Sequence, residues 1–266
     1  MDHNQHMMRS TATYFVALVL LIGTSLVIAE DFRVIRQVTG PIKTNCYLIY
    51  EVKSGETAII DPGWQIDSLE ACIKEHDLHL KYIFITHGHI DHFYELPEIR
   101  KHFPGAKWCI NKDDYEGIFT YPEWALQNYG QEWVDNARSD PEKRLYIDFD
   151  NQLIGVPDIF VGDSMTFTLG SLEIKTMLAP GHSPGGICYY TGNILFSGDV
   201  LFYRTVGTTN SQHGSREDQI NSVRRLYRSF PDSTRVYPGH GRFTDIGSEK
   251  KANSRITVDG GEWINK

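Results

Sequence analysis

Apolar and polar positions alternate in short runs through most of the chain, the period-2 pattern of strands that bury one face. Residues 32–38 and 45–50 alternate in this way, and residues 57–60 lead into Asp61-Pro62-Gly63, a turn sequence. Asp67 is placed to cap a helix with Leu69, Cys72 and Ile73 on one face. Residues 82–86 form an apolar β-type run, residues 93–102 have helical spacing interrupted by Pro97, and residues 107–110 predict another strand. Later runs at 165–169 and 172–178 flank Gly170-Ser171 as a hairpin, and those at 187–190 and 194–196 flank Thr191-Gly192-Asn193. Ser215 to Asp218 is a loose capping box opening a helix with Ile220, Val223, Leu226 and Tyr227 inward, and residues 235–237 are the last strand.

Two stretches depart from this pattern. Residues 113–162 are dense in aromatics mixed with Pro, Asp and Asn, without strand-helix alternation. An insertion of that length predicts a lid or subdomain rather than a linker. Its rings either cover an apolar substrate or pack the insertion onto the core. Residues 12–29 are apolar and uncharged, follow Arg9 and end in Val27-Ile28-Ala29 before Glu30. That order predicts a secretory signal, or an uncleaved anchor just long enough to span a bilayer. Residues 1–30 are therefore set apart, and residues 31–266 are expected as one α/β domain of two sheets with helices outside, exported or held at a membrane only through residues 12–29.

The chain has 266 residues, 41% hydrophobic and 23% charged, enough for a sizeable core. A net charge of −8 argues against a nucleic-acid partner or an anionic-membrane footprint, leaving a small molecule as the expected partner. Of the four cysteines, Cys46, Cys109 and Cys188 lie in apolar runs and read as buried thiols, although export would permit a disulfide with Cys72 in the count.

The chemistry concentrates in His87-Gly88-His89-Ile90-Asp91-His92, directly after the run at 82–86. Three imidazoles and a carboxylate within six positions form a ligand set for zinc, iron or manganese; a solvated His-rich turn is the alternative. Three further apolar runs end in the same manner, at Gly181-His182, Gly198-Asp199 and Gly239-His240. Sites in open α/β folds lie beyond the carboxyl ends of strands, so these four tips can converge. Gly181-His182-Ser183-Pro184-Gly185 also matches a serine nucleophile elbow, but Pro184 lacks the N–H that such an elbow contributes to its oxyanion hole.

These motifs, with Pro180-Gly181-His182, Ser197-Gly198-Asp199 and Tyr237-Pro238-Gly239-His240-Gly241, resemble the metal motifs of the metallo-β-lactamase superfamily, nearest its glyoxalase II-like branch. The resemblance spans roughly residues 32–255 and implies a four-layer αβ/βα sandwich. It implies one metal on His87, His89 and His182, a second on Asp91, His92 and His240, and Asp199 bridging both, with zinc first and iron or manganese as alternatives. It further implies a metal-bridging hydroxide that cleaves a thioester or ester, with Asp91 and Asp199 in catalytic roles. Only 26 residues follow His240, which implies the short type without the added glutathione-binding domain. Where that type usually carries Gly-Arg-(Thr/Ser)-Asp-Phe, this chain has Val206-Gly207-Thr208-Thr209-Asn210, so substrate choice is expected to reside there and in residues 113–162. Tyr203, Arg204 and His213 are candidate substrate contacts. Lactone or β-lactam hydrolysis is the neighbouring alternative, and mononuclear iron sulfur dioxygenase chemistry is the alternative of another class.

Overall fold

The alternating runs resolve into two β-sheets packed face to face, each carrying helices on its outer side. In the computed structural model, which describes residues 25–28 and 31–257, the first sheet contains β1 (Ser25–Ile28), β2 (Phe32–Thr39), β3 (Thr44–Glu51), β4 (Glu56–Ile60), β5 (His79–Phe84), β6 (Lys107–Ile110) and β7 (Ile159–Phe160). Their spatial order equals their chain order. β1 to β4 form an antiparallel meander, and β4 to β7 are parallel. The second sheet contains β8 (Thr166–Leu169), β9 (Leu172–Leu178), β10 (Ile187–Thr191) and β11 (Ile194–Gly198). A small ribbon, β12 (Leu201–Phe202) with β13 (Thr205–Val206), precedes its last members, β14 (Arg235–Pro238) and β15 (Thr244–Asp245). The order is β15-β14-β11-β10-β9-β8, with β11 and β14 parallel.

Period 2 assigns each residue to a layer. Tyr47, Ile49, Ala58, Ile60 and Phe84 point to the inter-sheet core, where they meet Phe167, Ile187, Tyr189, Phe196 and Tyr237. Their neighbours Cys46, Leu48, Ile59 and Ile83 face the other way, under α1 (Asp67–Glu75), α2 (Leu96–His102) and the start of α3 (Lys112–Ala137). On the second sheet Cys188, Leu195 and Val236 lie under α5 (Arg216–Ser229) and α6 (Ile246–Ala252). The result is the αβ/βα layering. Cys46, Cys109 and Cys188 are buried, Cys72 is half-buried, and all four are free thiols.

Two local expectations are corrected. Pro97 does not interrupt α2; it sits in the first turn, where a missing N–H costs nothing. Asp67 begins α1 but is not its cap, a place held by Ile66 without a side-chain bond. The stretch 113–162 is largely helical, in α3 and α4 (Pro141–Asp148), and its last residues return to the first sheet as β7. The apolar run 12–29 lies outside the described residues except at 25–28, which pair with Arg33–Arg36 as the sheet's outer strand. Among the described residues no helix is long and apolar enough to cross a membrane.

Candidate metal centre

Each of the seven metal-type residues follows the carboxyl end of a strand. β5 leads through Ile85 and Thr86 to His87, β9 through Ala179-Pro180-Gly181 to His182, β11 to Asp199, and β14 through Gly239 to His240. His87, His89, Asp91 and His92 are carried by the first sheet, and the other three by the second. The loop 87–92 closes in a short 3-10 turn over Ile90–His92, which turns Asp91 and His92 inward. Hydrogen bonds knit the sheets beside the site: Asn45 N–H donates to the Gly239 carbonyl at 2.6 Å, and Ile187 N–H to the Thr86 carbonyl at 2.8 Å.

The seven residues form two groups whose nitrogen and oxygen atoms converge. In the first, His89 Nδ1 lies 3.1 Å from His87 Nε2 and 2.9 Å from His182 Nε2. In the second, Asp91 Oδ2 lies 3.3 Å from both His92 Nε2 and His240 Nε2, and those two nitrogens are 3.3 Å apart. Within each group these atoms fall within 4.8 Å of one another. Asp199 stands between the groups, with Oδ2 at 3.4 Å from His182 Nε2 and 3.5 Å from His240 Nε2. Its Oδ1 is buried without a hydrogen-bond partner, 3.6 Å from His92 Nε2.

A surrounding shell fixes which nitrogen of each ring faces inward. His182 Nδ1–H donates to the Thr208 carbonyl at 2.6 Å, and His92 Nδ1–H to Asp61 Oδ2 at 2.9 Å. With those protons committed outward, each ring turns its Nε2 to the cluster, the atom a metal-bound imidazole would use. His87 Nδ1 lies 3.0 Å from Thr86 Oγ1, whose hydroxyl donates to Asp61 Oδ2 at 2.8 Å. Asp61 adopts a left-handed backbone (φ 54°) that turns its carboxylate to meet Thr86 N–H, Thr86 Oγ1 and His92 together. Thr44 Oγ1–H donates to Asp91 Oδ2 at 2.7 Å. Sequence reasoning read Asp61 only as part of a turn, although a carboxylate at the end of β4 repeats the strand-tip pattern.

Asp114, also missed, ties the loops together from α3. Its buried carboxylate accepts Gly88 N–H at 3.0 Å, Gly185 N–H at 2.7 Å and Ser183 Oγ–H at 2.7 Å. Burial pushes its pKa up to about 6 despite those three donors. Two adjacent acids at 113 and 114 signal no more than a helix start.

Electrostatics suit a cation. Burial and the crowding of imidazoles push His87 well below its ordinary value. Burial and His182 push His89 to about 3, and burial brings His182 to about 4, so this group is neutral and free to ligate. Burial also opposes charge on His92, but Asp91, Asp61 and Asp199 outweigh it and raise the pKa to about 10. Burial would raise Asp91; His92 and His240 hold it well below the carboxylate range. Carboxylates concentrated beside inward-facing ring nitrogens, one of their oxygens unbonded, fit divalent metal, which would take the place of the His92 Nε2 proton. Space is fitted as closely: a Cβ on Gly239 would lie 2.2 Å from Asp199 Oδ1 and 2.7 Å from His92 Cε1.

Of the candidate substrate contacts, His213 lines a small recess beside His89 and Asp114, with its ring bonded to Gln212. Arg204 is directed elsewhere: its guanidinium donates to the Ser248 carbonyl and to Glu249, which is buried. Tyr203 lies under Arg242, whose guanidinium sits 3.4 Å from the ring centre. Neither Tyr203 nor Arg204 lines the cavity at the metal centre. That cavity, of about 250 Å³, is walled instead by Ile42, Tyr121, Trp124, Tyr129, Thr208 and Ser211.

Known proteins carry the same architecture. The chain is 32% identical to hydroxyacylglutathione hydrolase GloC of Haemophilus influenzae over 211 residues, covering 79% of this chain and 91% of that one. It is 25% identical to the probable polyketide biosynthesis zinc-dependent hydrolase PksB of Bacillus subtilis, covering 75% and 77%. Among solved structures, the BLEG-1 B3 metallo-beta-lactamase superposes with a TM-score of 0.69 at 27% identity, covering 85% of this chain and 100% of that one. The family described as the metallo-beta-lactamase superfamily matches residues 39–240, a span that includes all seven residues of the centre. With the sandwich fold and the strand-tip donors in place, the chain belongs to the metallo-beta-lactamase superfamily and is an enzyme of its metallo-hydrolase kind.

Proposed function

We propose that the chain hydrolyses a small thioester or ester at a centre of two divalent metal ions, zinc first, in the manner of the glyoxalase II-like branch. The observation that carries this reading is the place of Asp199, whose carboxylate faces His182 from one group and His240 from the other. In this reading His87, His89 and His182 hold one ion, Asp91, His92 and His240 the other, and Asp199 reaches both. Divalent metal supplies Lewis acidity toward a carbonyl oxygen and brings the pKa of water toward neutrality.

The chain's own residues hold that chemistry in place. Asp61 and the Thr208 carbonyl keep the Nδ1 protons of His92 and His182 pointed away from the reacting side. Asp91, held ionised by its histidine neighbours and steadied by Thr44, contributes negative charge where a second cation sits. Ser183 is not required as a nucleophile, since its hydroxyl is spent on Asp114. The name of the Haemophilus relative supports thioester hydrolysis, because a hydroxyacylglutathione is a thioester.

The test is metal analysis joined to a substrate panel. Purified protein is expected to carry two metals per chain and to hydrolyse thioesters in a chelator-sensitive manner, and Asp199→Ala to lose the second metal and most turnover. Full turnover by Asp199→Ala would sink the binuclear mechanism. A second reading, β-lactam ring hydrolysis, is favoured by the likeness to BLEG-1 over the whole of that chain. Nitrocefin turnover above that of every thioester would put it first.

A further inference from the structure

The cavity at the metal centre has a wall chemistry that bears on the substrate. Apart from the metal-type residues, its lining is Ile42, Tyr121, Trp124, Tyr129, Thr208 and Ser211, with no lysine or arginine among them. Three of these six come from α3 as a continuous aromatic strip. The Tyr121 and Trp124 rings lie 5.8 Å apart, and Trp124 meets Tyr129 edge-on at 5.3 Å. The cations stand outside the lining: Arg216 and Arg255 belong to a separate cavity that shares Thr208 with this one. Arg242 is stacked on Tyr203, and Lys43, next to Ile42 in sequence, is exposed.

A glutathione thioester carries two carboxylates and one ammonium on its departing half, and so a net negative charge. On this wall the two carboxylates would face the negative π-surfaces of three rings. Without a guanidinium or ammonium in the lining, their desolvation has no compensating partner. The net charge of −8 opposes their approach as well. A neutral body with an aromatic ring or bulky apolar group loses nothing of this kind, and it gains stacking and apolar burial along α3.

Resting on the hydrolase reading above, we infer that the substrate is a neutral thioester or ester whose aromatic or bulky apolar group lies against Tyr121, Trp124 and Tyr129, and that glutathione thioesters are poor substrates. In the reaction, water gives its oxygen to the acyl carbon, the bond from that carbon to sulfur or oxygen breaks, and one proton of the water passes to the departing thiol or alcohol. The other proton leaves as the acid ionises.

Two measurements on the zinc-loaded protein test this. Turnover is compared for phenylacetyl-N-acetylcysteamine, acetyl-N-acetylcysteamine and lactoylglutathione, and the first is expected to exceed both others in kcat/KM by about tenfold or more. Binding is measured by calorimetry with two thioethers, in which a methylene replaces the phenylacetyl carbonyl and the thiol is either N-acetylcysteamine or glutathione. The neutral thioether is expected to bind about tenfold tighter. Trp124→Ala is expected to bring the phenylacetyl-to-acetyl preference toward one and to weaken the neutral thioether about fivefold or more. A glutathione thioether that binds as tightly as the neutral one, or a neutral thioether indifferent to Trp124→Ala, overturns the inference while leaving the hydrolase reading intact. If neither a thioester nor an ester is hydrolysed, that reading falls, and the two thioethers still decide whether the wall selects neutral aromatic groups.

Discussion

Asp61 shows how much of this centre depends on residues that touch no metal. One carboxylate takes a backbone N–H, a hydroxyl and an imidazole N–H, and so sets the orientation of His92 directly and that of His87 through Thr86. Asp61→Ala is expected to weaken metal binding by about 10–100-fold while the chain stays folded, measured by competition with a chromophoric chelator. Asp114→Ala is expected to act on stability instead. It leaves Gly88 N–H, Gly185 N–H and Ser183 Oγ–H without their acceptor, a loss of about 2–4 kcal/mol readable in urea denaturation. The seven residues of the centre were legible in the sequence because four apolar runs end at His87, His182, Asp199 and His240, and His89, Asp91 and His92 crowd into the five positions after the first. Asp61 carried the same strand-tip signal but was masked by the turn sequence Asp61-Pro62-Gly63, and Asp114 carried none, because its partners lie 26 to 71 positions away.

Among the elements, α5 was readable and α3 was not, for opposite reasons. Ser215 Oγ accepts Asp218 N–H, as the capping pattern requires, and Val223, Leu226 and Tyr227 are buried at helical spacing. Ser215→Ala is expected to cost about 1 kcal/mol, a fall of ~2–4 °C in Tm by calorimetry. Helix α3 hides its character behind breakers. Pro122 denies the Ile118 carbonyl its intrahelical donor, and the side-chain amide of Asn151 supplies a replacement at 2.9 Å. Gly130, at φ 79° and ψ 168°, breaks the helical path altogether. The aromatic density of 113–162 was visible, but it is displayed by helices whose pattern these residues obscure. The two residues of β7 are too few to show any period.

Across the whole molecule, the centre joins the two halves of the sandwich. Four donors belong to loops of the first sheet and three to loops of the second, so metal bound at the seven residues links one half to the other. The folded chain alone assembles these donors, and a ligand that binds only the folded state adds its binding free energy to stability. Free zinc at about a hundred times its dissociation constant is expected to stabilise the protein by about 2.7 kcal/mol, and chelator to remove that increment. Equal melting temperatures with and without zinc would refute it. The overall architecture was legible because strand-length apolar runs end in turn sequences, and alternate residues of these strands enter two different buried layers, one between the sheets and one under the helices. The layers in which Tyr47 and Leu48 part company follow from that period alone.

Thr208 divides its duties between two parts of one residue. Its carbonyl fixes the ring of His182, and the same residue belongs to the wall of the cavity. A backbone oxygen is common to every amino acid, so replacing the side chain leaves the support of His182 in kind. The loop can therefore exchange one specificity for another by ordinary point mutation without passing through a form that has lost its metal. Libraries randomised at position 208 are expected to yield variants of altered substrate range that keep full zinc content, whereas insertion or deletion in residues 206–210 displaces the carbonyl and forfeits both.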